Sequence, residues 1–140
     1  RERAELAKDI ARTREWWDRE RGDYECFISP IVLEELETGD YLHKADCLSL
    51  VTGIPLLAVT SETLRIAEVY RIRLFMPRHP VADSVHVALA SQYRLDYLLT
   101  WNCRHLANVH KVRHLEELNH AMHLHVPLPV TPHQLQPWEE

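Results

Sequence analysis

Glycine is scarce in this chain: three residues, Gly22, Gly39 and Gly53, among 140. They are too few and too scattered to build a glycine-rich loop that cradles phosphates, so a P-loop nucleotide-binding site is excluded. No GxSxG elbow is present, which removes the usual serine-hydrolase signal. Cysteine is also sparse, with Cys26, Cys47 and Cys103 widely spaced, odd in number and forming no CxxC. That pattern fits a reduced, cytoplasmic protein rather than a disulfide framework. No apolar run approaches the ~18 residues of a membrane span. No signal peptide is visible, but the chain opens on Arg1-Glu2-Arg3 without Met, which leaves room for a segment upstream. A basic excess is missing too: 16 Lys and Arg stand against 21 Asp and Glu, a net charge of −5. An acidic balance argues against a non-specific nucleic-acid coat. It leaves open an enzyme that meets nucleic acid through bound cations.

What is present is ordinary for one globular domain spanning residues 1–140, with 46% hydrophobic and 26% charged residues. Apolar periodicity predicts a first helix from Arg1 to about Arg21, stopped by Gly22-Asp23. Tyr24–Ile28 is β-prone. Ser29-Pro30 reads as an N-cap with a first-turn proline, opening a helix through Leu36. A helix is expected from Tyr41 to Val51, a buried strand over Pro55–Val59, and a helix from Thr60 to about Ile72. His79-Pro80 precedes a helix from Val81 to about Tyr93, and Asp96–Thr100 reads as a strand. Helical residues return around Cys103–Leu106 and from about Lys111 to Met122. A last strand falls within His125–Pro132, and Thr131-Pro132 can cap a final turn. Short apolar strands alternating with helices imply an α/β fold with a largely parallel sheet. In such sheets the functional crevice lies beyond the carboxyl ends of the strands.

Three positions there can carry chemistry. At ~100° per residue, Glu35 falls on the border of the apolar side formed by Ile31, Val32, Leu33 and Leu36, where a carboxylate would be half buried. Glu34 points away. The competing reading is a solvated acidic face, Glu34–Glu37. Asp83 is the only acid in Val81–Ala90, a helix apolar nearly all round and so expected to be buried. A buried carboxylate needs a cation or donors; alternatively Asp83 serves the helix N-terminus. Asn102 follows the Asp96–Thr100 strand by two residues, where an amide oxygen can ligate Mg²⁺ or hold its water, or simply make a turn.

Together these segments resemble the PIN domain, the nuclease fold of VapC-type toxins. Ile28–Leu36 is similar to its strand-to-helix motif, in which Ser precedes the metal-binding Glu by six residues, here Ser29 and Glu35. Asp83–Ala90 resembles the central Asp motif, and Tyr97–Leu106 the last motif, with Thr100 and Asn102. The resemblance covers nearly the whole chain. It implies a three-layer sandwich with a mostly parallel sheet between helices. It further implies an RNA-cleaving hydrolase using Mg²⁺ or Mn²⁺. Glu35, Asp83 and Asn102 would hold metal or its water, with Ser29 and Thr100 supporting them from behind. A small antitoxin protein and a second copy in a homodimer are the implied partners. The sequence adds its own motive: Trp16 and Trp17 point ~100° apart on one helix, so one of them is expected at such a contact, unless both pack inside against Tyr41 or Leu42. The family opens with a central strand ending in Asp, whereas this chain starts in a helix. Many relatives also carry Asp where Asn102 stands. The enzyme reading therefore expects the missing strand and acid upstream, and expects a gap or exposed apolar surface without them.

Two alternatives stand beside it. One is a catalytically degenerate PIN-like interaction module. The other is a zinc site drawn from Cys103, His105, His110, His114, His120, His123 and His125. Those spacings match no standard structural zinc set.

Overall fold

The computed structural model describes residues 3–75, 81–101 and 108–137. Its organising element is helix α5, Val81–Gln92, which is buried along most of its length. Val85, Val87, Ala88 and Leu89 occupy successive directions around that helix, so no face of it can be given to water. Helix α4, Ser61–Tyr70, covers α5 with Ile66, Ala67 and Tyr70. Helix α6, Val109–Ala121, adds Leu115 to the same core. A polar network is buried among the three helices. The Tyr70 hydroxyl bonds Asn119 Oδ1 and lies 2.9 Å from Ser91 Oγ, while Asn119 Nδ2 donates to the His125 carbonyl at 2.7 Å. Satisfied buried polar groups of this kind fix one packing arrangement among several that apolar contacts alone would allow.

Local chemistry explains the helix starts. Thr60 and Thr63 form a reciprocal capping box at α4. Helix α2, Pro30–Glu37, begins where the sequence places it: Ser29 Oγ accepts from the Ile31 N–H at 3.1 Å, with proline in the first turn. Helix α3 is shorter than expected, Lys44–Val51, because Tyr41–His43 turn instead, with His43 at φ 67°. The first helix, α1, runs Arg3–Glu15, widens into a π-helical turn at Trp16–Glu20, and tightens to a 3₁₀ turn at Arg21–Asp23.

The strands are the main departure from expectation. Strand β1, Tyr97–Leu99, pairs in parallel with β2, Leu128–Val130. Tyr24–Ile28 and Pro55–Val59 do not form full strands; they meet at one parallel bridge, Ile28 to Leu56. Pro55–Val59 is not buried either, with Leu56 50% exposed. Among the described residues no backbone hydrogen bond joins this bridge to β1. The two pairs meet through side chains, the Tyr24 and Tyr97 rings packing edge to face at 6.2 Å between centroids. A β-prone run gains a ladder only where a neighbour offers one, and Tyr24–Cys26 has none on either side. Phe27 and Tyr97 remain exposed beside this open seam. The fold shown is thus a mixed helix-and-strand α/β fold with a two-stranded parallel sheet.

The N-terminal helix is tied to the C-terminal tail by one side chain. Arg12, 7% exposed, directs Nε to the Pro132 carbonyl at 2.7 Å and Nη2 to the Leu135 carbonyl at 2.8 Å. Its forked face grips Glu20 at 2.5 and 2.8 Å, and Nη1 also reaches Glu15 at 2.8 Å. Five donors thus meet five acceptors, which is what makes burial of a guanidinium tolerable. The bond from Arg12 holds the Glu20 carboxyl below its usual value, against the opposing effect of burial. Glu20→Ala would leave Arg12 buried without its counter-charge. We expect a loss of roughly 3 kcal/mol in urea unfolding, the scale for breaking a buried pair. The Glu20 contribution should be full above about pH 4.3, the ordinary Glu value, and fade as pH falls toward the lowered folded value. An unchanged unfolding midpoint in the variant would contradict this assignment.

Candidate functional site

Two helices carry the predicted acids, α2 Glu35 and α5 Asp83. Helix α2 begins immediately after Ile28, so it starts at the carboxyl end of that bridged segment. Helix α5 ends at Gln92, and a short turn leads from it into β1, against which it packs. Asp83 sits in the first turn of α5 and is buried, 9% exposed, as its apolar helix predicts. It is engaged in an interaction there. Glu35 is exposed rather than half buried, because no residue of the short helix α2 is fully enclosed. Glu34 is exposed as well.

What distinguishes Glu35 from Glu34 is electrostatic. The imidazole of His86 lies within range of both Glu35 and Asp83, and each carboxylate favours its charged form. Glu34 is not among the groups acting on it. Ile31 on α2 packs against the core built around α5, and Glu35, four residues on, lies on the same strip of the helix. Asp83 and His86 are three apart on α5 and share its strip. Burial acts on His86 more strongly than the two acids do, and its pKa is lowered from the ordinary 6.5.

His86 is the residue that the sequence reading passed over. A lone His on an apolar helix reads as packing, and only its three-residue spacing from Asp83 hinted otherwise. The other predicted positions are placed less completely. Ser29 Oγ is committed as the cap of α2, which leaves its hydroxyl hydrogen for any other contact. The Thr100 N–H donates to the Val130 carbonyl at 2.8 Å, extending the β1–β2 ladder by one bond. Asn102 lies outside the described residues, as do Cys103 and His105. Among the described residues, no group of three or more His, Cys, Asp or Glu side chains lies close enough to hold a metal ion. His110 and His114, the paired members of the alternative zinc set, are exposed on α6.

A separate cleft of about 540 Å³ lies where the Tyr24 and Pro55 segments begin, lined by Trp17, Arg21, Tyr24, Cys26, Leu50 and Pro55 among others. It contains none of the predicted site residues. The adjacent tryptophans diverge as helical spacing requires. Trp16 is 7% exposed and packs with Tyr24, Val130 and Leu135, not with Tyr41 or Leu42, the latter 82% exposed. Trp17 is half buried beneath the Arg21 guanidinium, 4.0 Å from its ring centre. Among the described residues no helix is long and apolar enough to cross a membrane.

No protein-family model, curated protein or solved structure matches the chain. The site must therefore be judged on its own chemistry. Its most direct electrostatic signature is measurable: a nitrogen-15 titration of the histidine rings should give His86 a midpoint below 6.5. With the folded value lowered, His86 stays neutral while the unfolded chain protonates, so its contribution to stability is full above about pH 6.5 and falls as pH drops below it. A midpoint at or above 6.5 would show that Glu35 and Asp83 outweigh burial.

Proposed function

We propose that this protein is a metal-dependent endoribonuclease of the PIN type, hydrolysing RNA phosphodiester bonds at the Glu35–Asp83 site. The observation that carries the reading is Asp83, a carboxylate enclosed in the first turn of a helix that is otherwise almost wholly apolar. Supporting it is the start of α2, the Glu35 helix, just beyond the carboxyl end of the bridged Ile28 segment. The open seam between the two parallel pairs suits a three-layer sandwich whose sheet takes one more strand between them.

The donor set is chemically suited to a hard cation. Carboxylate oxygens bind Mg²⁺ or Mn²⁺ and leave positions for water and phosphate oxygens. Glu35 and Asp83 would hold the ion, with Asn102 placing a water. When bound, such a cation polarises the phosphate and lowers the pKa of water. The protein's own share is placement. Asp83 is fixed by the rigid, buried α5, whereas Glu35 projects from the more exposed α2 and can adjust to substrate. The Ser29 cap fixes where α2 begins and hence the register of Glu35.

The test is cleavage of a mixed-sequence RNA by the complete protein with Mg²⁺ or Mn²⁺, stopped by EDTA. Asp83→Asn keeps the shape and removes the charge. It should lower the rate at least about a hundredfold, the scale for removing one preorganised charge-stabilising group. Glu35→Gln should cost nearly as much and Glu34→Gln little. Cleavage that survives both EDTA and Asp83→Asn would exclude the metal mechanism. Equal losses from Glu34→Gln and Glu35→Gln would show that helix phase does not select the acid.

A further inference from the structure

We infer that the cleft beside Trp17 is a second binding site, for a nucleoside phosphate: a flat ring carrying a phosphate group. Its walls come from the turns that follow α1 and from the end of α3 with the turn after it. A volume of about 540 Å³ suits a small organic ligand rather than a bare ion. The leading observation is Arg21. Its guanidinium lies 4.0 Å from the centre of the Trp17 ring. Arg12, Arg65 and Arg71 are each bonded to a carboxylate. Among the described residues no hydrogen bond or ion pair engages the Arg21 guanidinium. Stacking on the indole orients that plane and leaves its five N–H donors for an anion. Among the described residues the cleft wall contains no Asp or Glu, although the chain carries a net charge of −5. An incoming phosphate therefore meets one oriented cation and no acid in the wall, and the guanidinium fork matches phosphate oxygens bidentately.

The rest of the wall suits a ring and a sugar. Trp17 and Tyr24 supply aromatic surface, and Leu50, Ile54 and Pro55 supply apolar surface. Ser49 Oγ donates to the Asp46 carbonyl at 2.8 Å, and Thr52 Oγ1 donates to the Leu48 carbonyl at 3.0 Å. Both hydroxyl hydrogens are thus committed, so these oxygens offer lone pairs. They can accept from a ring amino group or from sugar hydroxyls. Gly53, at φ 87°, lines the same wall, and no atom lies within 4 Å of where its side chain would begin. The turn backbone there is open to a ligand. An arginine for the phosphate, aromatic rings for the base and acceptors for the sugar are together the parts that a nucleoside phosphate needs and a bare anion does not.

Calorimetric titration with adenosine monophosphate tests the inference, in EDTA so that no cation takes part. Inorganic phosphate and adenosine each carry only part of the ligand, and each should bind at least about tenfold more weakly. Arg21→Gln should weaken adenosine monophosphate about 10–100-fold, the scale for a hydrogen bond to a charged group. Trp17→Leu should cost about tenfold, the scale for one stacked base. Arg65→Gln removes the same charge from the exposed surface of α4 and should bind as the wild type does. In the wild type, backbone amide signals of Arg21 and of residues 49–54 should move first. Circular dichroism shows whether Trp17→Leu folds; if it does not, Arg21→Gln and the wild-type amide shifts decide. A short 5′-phosphorylated single-stranded RNA separates the two sources of this chemistry. Tighter binding than adenosine monophosphate assigns the site to an RNA end, and weaker binding to a free nucleotide; either supports the site. Adenosine monophosphate binding no tighter than phosphate would overturn the inference. So would equal losses in Arg21→Gln and Arg65→Gln, or amide shifts centred away from the cleft. None of these results bears on the acids of the nuclease reading, which stands or falls by its own test.

Discussion

Everything in this fold answers to one constraint: α5 has no face that tolerates water. Val85, Val87, Ala88 and Leu89 point in successive directions, so the helix must be wrapped. Helix α4 covers one flank, α6 another, and β1 follows directly from the turn after Gln92. Full burial of a large aliphatic side chain is worth about 1.5–3 kcal/mol, so several together outweigh the cost of enclosing a polar group. That surplus is what allows Asp83 and His86 to sit in the same helix. A rigid, enclosed helix is also the right place for groups that must keep their positions when a charged substrate arrives.

Around this centre the fold is held at its edge by polar ties. Arg12 joins α1 to the tail that follows β2, and the Trp101 indole N–H donates to Thr13 Oγ1 at 2.7 Å, just beyond the end of β1. His133 adds a contact to Asp9 at 2.8 Å. These ties draw the first helix and the last strand against one another. Among the described residues no backbone hydrogen bond crosses the seam between β1 and the Ile28 bridge, where the Tyr24 and Tyr97 rings meet. The molecule is thus most firmly built around α4, α5 and α6 and most open along its strands.

Much of this was legible in the chain because local chemistry and burial agree there. Ser29-Pro30 can hardly do anything but start a helix, and Val81–Ala90 can hardly be exposed. Asp83 therefore fell where the pattern put it. Glu35 was not legible in burial: it is exposed, as Glu34 is, on a helix too short for its neighbours to enclose it. The strands were over-read. Tyr24–Ile28 and Pro55–Val59 have β-prone side chains, but a strand depends on partners that side-chain pattern does not supply. The π-helical widening at Trp16–Glu20 accompanies the contact of Glu20 with Arg12, between residues eight apart, which periodicity does not encode.

The central claim is that α2 and the first turn of α5 form one cation-accepting site. Substoichiometric Mn²⁺, followed through paramagnetic broadening of assigned backbone amide signals, tests it most directly. The account predicts that amides near Glu35 and from Asp83 to His86 broaden first, while those around His110 and His114 on α6 stay sharp. Broadening centred on α6, or spread evenly over the acidic surface, would contradict it.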